Sequence, residues 1–430
     1  MQNLPPSLLL ALGCALFAAP TALAQEDPYE IPMEEEDEGL SQEELDAKAE
    51  IIMPRVSKMR GWDWKKEVPV GITTPDEFID FAEKAFDEEY GDVRMKGMTT
   101  SYGLLGLMDP ELDFESTMMD MLRSQVGGYY DPKEGKFFMM STFNKGGMAD
   151  YIMAHELCHA LDDQYFNLEA MFEDAAGSSD REFALRCAIE GSASSIGNLY
   201  LMEGIQKGWL DASSMMDMDM LASLGAMEAV PSYFIINMSL PYLDGACFVV
   251  RSTSDNIFAA MMTEPPDSDL QHMFRNPPVS SEQVLHPEKY WEEATYDAPI
   301  PVELEDRTAK LGAGWSLVDT DVMGELGCAA VSMKRVPNAT EVSMGSARMN
   351  VDSSAGWGGD LYRTYLHEDG RSMMQWSTVW DSELDAQEFA VALREHGMKR
   401  APWLRRIDLQ GTRVMVFYAS DDAIADLELL

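Results

Sequence analysis

The chain has 430 residues, with 32 basic against 75 acidic side chains, a net charge of −43 and 46% hydrophobic residues. That length and apolar fraction suffice for a buried core, and suggest two domains. The charge, with no Lys/Arg-rich cluster to offset it, excludes nucleic acid and anionic membrane surfaces as partners. The excess is spread along the chain, since residues 301–430 hold 21 acids against 13 bases.

At the N-terminus, Leu8 to Phe17 form a short apolar run and Ala22-Leu23-Ala24 a small-residue cleavage site. Together they predict an export signal over residues 1–24 and a periplasmic or extracellular bacterial location. An alternative signal ending at Ala11-Leu12-Gly13-Cys14 would anchor the chain by lipid at Cys14; it ranks second because Ala11 stands where such signals prefer Leu. No later stretch approaches 18 uninterrupted apolar residues, so no transmembrane segment is expected after cleavage. Residues 26–50 carry twelve acids and one Lys, which predicts a disordered acidic linker over 25–50.

Val126 to Met140 reads as strand, turn and strand, with Asp131-Pro132 and Gly135 marking the turn. An extended peptide could add to the edge of such a pair. The segment from Met148 to Leu161 has no proline and places Met153, Leu157, Ala160 and Leu161 at helical spacing. It contains His155-Glu156-Leu157-Cys158-His159, in a chain with only six histidines. Residues four apart lie one turn apart on a helix face, so His155 and His159 can offer imidazole nitrogens to one Zn2+ ion. Glu156 falls about 100° around the helix, where its carboxylate can take a proton from metal-bound water.

A catalytic zinc takes three protein ligands, and Glu190 is the candidate third. Ser179-Asp180-Arg181-Glu182 reads as a capping box opening a helix to Met202. Gly191, Ser192, Ala193, Ser194 and Ser195 follow Glu190, small enough for close approach to the His155 helix. The competing reading pairs Glu190 with Arg186 on the surface, with Glu169, Glu173 and Asp174 as fallback ligands. Cys158 and Cys187 are either bridged between the two helices or buried as free thiols. Methionines dense from Met215 to Met227 read as core or groove lining rather than a copper site, since no His or Cys interleaves them.

His155 to Gln164, with Gly128-Tyr129-Tyr130-Asp131-Pro132 before and Ile189-Glu190-Gly191 after, resembles a bacterial family of exported zinc metallopeptidases similar to gluzincins. The resemblance extends to Ser281 through Tyr290 and to Gly356-Trp357-Gly358-Gly359-Asp360. It implies a zincin-like α+β domain, with His155, His159 and Glu190 as ligands and Glu156 as base. Better-known gluzincins carry an Asp four residues after the ligand Glu, where this chain has Ser194. Asp162, seven residues after His155 and so back on its face, is the expected support for an imidazole, with Asp163 and Gln164 as alternatives. His286 and Tyr290, in a Pro-bounded segment, are candidate donors to a tetrahedral oxyanion; the plainer reading is a turn before a short helix.

Beyond Pro301, Leu361 to His367 and Met373 to Trp380 predict strands around Glu368-Asp369-Gly370. Ser382 to Glu395 predicts a capped helix, and Arg405 to Leu409 with Arg413 to Ala419 a closing hairpin. The expectation is a zincin-like catalytic domain over 51–300 and a smaller α+β domain over 301–430. The function expected is zinc-dependent hydrolysis of peptide bonds, of the endopeptidase kind. The alternatives are a zinc hydrolase acting on another substrate class, and a non-enzymatic binding protein on the same scaffold. An unobstructed strand edge before the metal helix would favour peptides.

Overall fold

The computed structural model describes residues 40–89, 91–143, 146–210, 229–343 and 345–430. The expected signal over 1–24, Cys14, the linker up to residue 39 and the Met215–Met227 run lie outside the described residues. The described residues are mixed α and β, with two sheets. No helix among the described residues is long and apolar enough to cross a membrane.

Part of the expected linker is a helix. The first element, α1 (Gln42–Arg60), begins at a capping box in which Ser41 and Glu44 bond each other's backbone, and ends at Gly61 with φ of 76°. Leu45, Ala49, Ile52, Val56 and Arg60 recur every three or four residues and are buried. The four apolar members, Leu45 to Val56, outweigh the local charge, because the acids between them face water.

The first sheet has three strands in the order β1-β3-β2: β1 (Val70–Thr73) runs parallel to β3 (Lys136–Met140), and β2 (Gly128–Asp131) is antiparallel to β3. The β2–β3 turn forms where expected. Asp131 accepts the Lys133 backbone N–H at 2.8 Å, and Gly135 takes the left-handed conformation that the turn requires.

Three long helices follow. The first, α2 (Gly146–Phe166), carries the histidines. Next, α3 (Ser179–Lys207) carries Glu190 and is N-capped by Ser178, whose side chain accepts from Arg181, one residue before the expected cap. Last, α4 (Ser232–Val249) is buried along nearly its whole length despite Pro241 in its interior. The helices α1 and α2 run side by side in the same direction: Lys48 pairs with Asp150, and Arg60 with Asp162 at 2.8 Å. Both pairs are offset by 102 residues, so one register holds over three turns.

Glycines set the closest helix contact. A Cβ on Gly191 of α3 would lie 2.3 Å from the Gly245 carbonyl oxygen of α4, and one on Gly245 would lie 2.3 Å from the Cys187 oxygen. The backbones of α3 and α4 therefore touch immediately beyond Glu190. The small residue at 191 serves approach to α4 rather than to the His155 helix, as expected from sequence. Closeness to α2 is served by Gly197 instead, where a Cβ would meet the Tyr151 ring at 2.9 Å.

The second sheet is fully antiparallel in the order β4-β5-β6-β8-β7. Its strands are β4 (Trp315–Asp321), β5 (Trp357–His367), β6 (Ser372–Trp380), β7 (Leu404–Gln410) and β8 (Arg413–Ala419). Four of the five match expected strands; β4 carries no alternation strong enough to read in advance. The expected capped helix forms as Glu383–Ala392 with a capping box from Ser382 and Asp385. The largest hydrophobic cluster joins Tyr102 and Phe234 to Leu326, Trp376 and Val416, so the segments before and after residue 300 share one continuous core.

Candidate metal centre

The histidines and Glu190 converge from two helices. His155 Nε2 lies 3.1 Å from Glu190 Oε2, His159 Nε2 lies 3.3 Å from the same oxygen, and the two Nε2 atoms are 3.1 Å apart. All three side chains are at most 1% exposed. The expected alternative partner of Glu190, Arg186, instead holds the Asn237 side chain and backbone carbonyl. The fallback acids stand away from the cluster: Glu173 and Asp174 are exposed and Glu169 half-buried.

These distances fit a metal ion. Tetrahedral zinc with bonds of about 2.0–2.1 Å to nitrogen and oxygen puts neighbouring ligand atoms about 3.3 Å apart. Lone pairs of three buried groups facing one another that closely repel unless a cation or proton lies between them. Within the cluster, His155 Nδ1, His159 Nδ1 and Glu190 Oε1 are buried without a hydrogen-bond partner among the described residues. The charge pattern is consistent. Burial, the largest influence, pushes His155 down; it also acts on His159, but there the Glu190 carboxylate outweighs it and raises the ring above its ordinary value. Burial would raise Glu190, yet the two imidazoles outweigh it and hold that carboxyl low.

Glu156 is fully buried and its Oε2 accepts the Tyr130 backbone N–H at 2.9 Å. Met140 donates to the Gly127 carbonyl across the ladder at 3.0 Å, so alternation turns the backbone groups of Gly128 and Tyr130 outward. Glu156 thus takes an outward-facing donor of the edge strand β2. That edge is covered, however, since all four β2 residues are buried.

Asp162 does not support an imidazole. Its Oδ1 accepts from Arg60 Nε at 2.8 Å and its Oδ2 from the Ser192 hydroxyl at 2.8 Å, while both imidazole Nδ1 atoms go without. Proximity on the helix face was read correctly, but the guanidinium arriving from α1 claims the carboxylate. Asp163 likewise accepts the Tyr130 hydroxyl at 2.8 Å and the Leu168 N–H at 2.9 Å, so it anchors β2 to the end of α2.

The two expected oxyanion donors are engaged elsewhere. His286 Nε2 pairs with the buried Glu325 at 3.0 Å, which raises its pKa despite burial, and the Tyr290 hydroxyl donates to the Asn276 carbonyl at 2.6 Å. Their short segment is a turn into a helix, the plainer reading. The ring beside the centre is Tyr242 of α4, stacked on His155 with centroids 5.9 Å apart. Nothing in the sequence spacing announces it, because the contact is made by a helix 87 positions downstream.

Cys158 and Cys187 are free and buried; neither bridges, and Cys158 Sγ faces Asp162 at 3.8 Å. A second acidic group, Glu282, Asp297 and Asp381, is bridged by Lys289, whose Nζ lies 2.6, 2.9 and 3.1 Å from the three carboxylates.

Residues 310–426 match a family described as a domain of unknown function (DUF8575), a stretch that covers all five strands of the second sheet and leaves the metal centre outside. No curated protein and no solved structure matches the chain.

Proposed function

We propose that this protein is an exported zinc-dependent hydrolase, with His155, His159 and Glu190 holding the ion and Glu156 acting as general base. The observation that carries the proposal is the convergence of two buried imidazoles and one carboxylate with atoms 3.1–3.3 Å apart, with a second buried carboxylate, Glu156, one residue from the first histidine. When bound, zinc supplies Lewis acidity to a substrate oxygen and acidifies a water molecule. Glu156 accepts the proton from that water and returns it to the leaving group. The Tyr130 N–H donates to one oxygen of the Glu156 carboxylate and so orients it.

Peptide bonds are the substrate class that the motif context supports. A groove of about 450 Å³ lined by Lys65, Lys66, Pro132, Asp163, Gln164 and Asn167 opens on the same side of α2 as Glu156, because Asp163 follows Glu156 by two turns. The covered β2 edge favours the second reading, a zinc hydrolase whose substrate does not add as a strand. A purely structural site is the weaker reading, since it has no use for a buried base.

Metal analysis of the purified protein tests the class: about one zinc per chain, removable by chelator, is expected. Fully folded, metal-free protein from zinc-replete medium would sink it. Peptide-library and ester substrates compared on the same preparation separate the two substrate readings.

A further inference from the structure

We infer that Asp162 is a positioning residue that sets the spacing of the two ligand-bearing helices, and that Arg60 makes this spacing depend on the docking of α1. The inference rests on the metal reading above. Asp162 is fully buried and lies three residues beyond His159 on α2; Ser192 lies two residues beyond Glu190 on α3. The Asp162 carboxylate bonds the Ser192 hydroxyl at 2.8 Å, so a single side chain ties the helix of the histidines to the helix of the glutamate. Its other oxygen takes Arg60 Nε at 2.8 Å. Arg60 is the last residue of α1, is 3% exposed, and stacks its guanidinium 3.6 Å above the Trp62 ring.

The bracket matters because the ligands lack the usual support. Metal-bound imidazoles are normally oriented by an acceptor on the second ring nitrogen. Here both Nδ1 atoms are without one, so ring placement is inherited from the helices, and helix separation becomes the quantity that fixes ligand geometry. A bidentate grip of one carboxylate by groups from two other helices holds that separation. Removing it lets the Oε2–Nε2 distances drift from the tetrahedral spacing, and affinity falls with them.

The test is zinc affinity of the full chain, measured by competition with a chelator of known strength, alongside thermal unfolding of the metal-free protein. Asp162→Asn and Ser192→Ala are each expected to weaken zinc binding about tenfold or more, and Arg60→Met to do so while Arg60→Lys retains part of the affinity. Ser192→Ala removes one bond and leaves the ion pair intact, so it decides the matter if Asp162→Asn does not fold. Affinity within about twofold of the parent in the folded variants overturns the inference, including the case in which they merely melt earlier. A parent chain that binds no zinc overturns the metal reading itself and the bracket with it.

Discussion

Two clusters of buried charge lie along the same helix, α3, and they are built on opposite rules. Near its middle, Glu190 faces two imidazoles, and three polar atoms of the cluster are left without partners. At its start, Asp180, Asp321 and Asp360 are equally buried but richly bonded to neutral donors. Asp360 accepts from Met323 N, Gly324 N, Trp357 Nε1 and Trp376 Nε1. Asp321 takes Ser179 twice and the Val322 N–H, and Asp180 takes the Ser281 N–H at 2.8 Å. Burial, the largest cause, lifts Asp180 to about 7 and Asp321 and Asp360 each to about 6. The contrast teaches that burial of carboxylates alone says little; convergence of His155, His159 and Glu190 is what sets the first cluster apart and motivates the metal proposal.

The contrast breaks most sharply on Glu156→Gln. That change removes the proton acceptor and keeps all three ligands, so hydrolysis should drop about 10²–10⁴-fold with zinc retained, read by steady-state rates and metal content. Full activity in this variant would end the hydrolytic mechanism. Next, Glu190→Gln removes an anionic ligand and should weaken zinc binding by on the order of 100-fold or more, beyond the loss of a mere supporting partner. If Glu169→Gln had that effect instead, the ligand assignment would be wrong.

In the saturated cluster the corresponding changes should touch stability alone. Asp180 titrates near 3.8 when unfolded and near 7 when folded, so the native state binds the extra proton between those values. Its contribution to stability is therefore full below about pH 3.8 and is lost as pH rises through about 7. Asp180→Asn keeps a carbonyl for Ser281 and cannot ionise. Relative to the parent it should gain on the order of a few kcal/mol between pH 4 and 8 in denaturant titrations, and a pH-independent difference would refute the burial argument. The smallest change is Ser179→Ala, which deletes one hydroxyl bond to Asp321 and should cost about 1–2 kcal/mol with zinc affinity unchanged.

How much could be read in advance follows the same physics. The shared face of His155 and His159 was legible because helical periodicity converts spacing into proximity, whereas Glu190, on another helix, was reached from the helix read after Ser179 and from the family resemblance. The hairpin Val126–Met140 and four strands of the second sheet were legible from turn chemistry and alternation. The role of Asp162 was not, since its partner Arg60 stands 102 residues upstream and no local pattern links them. Tyr242 escaped for the same reason. The helix α1 did leave a trace: Ser41 and Glu44 form a capping box, and Leu45, Ala49, Ile52 and Val56 follow at helical spacing, but averaging the composition over 25–50 buried that signal. The His286 and Tyr290 proposal failed because a Pro-bounded segment fixes a loop without saying which way it faces.

The depth of the centre also turns metal exchange into a matter of timing. His155, Glu156, His159 and Glu190 are each no more than 1% exposed, and the Tyr242 ring lies against His155. On the proposed zinc reading, a chelator would reach the ion only after packed helices part, so release would be gated by a fluctuation of the fold rather than by collision. The rate of zinc loss should therefore level off as chelator concentration rises, at the frequency of that opening. On the proposed hydrolase reading, the same opening would bound turnover, because Glu156 is fully buried.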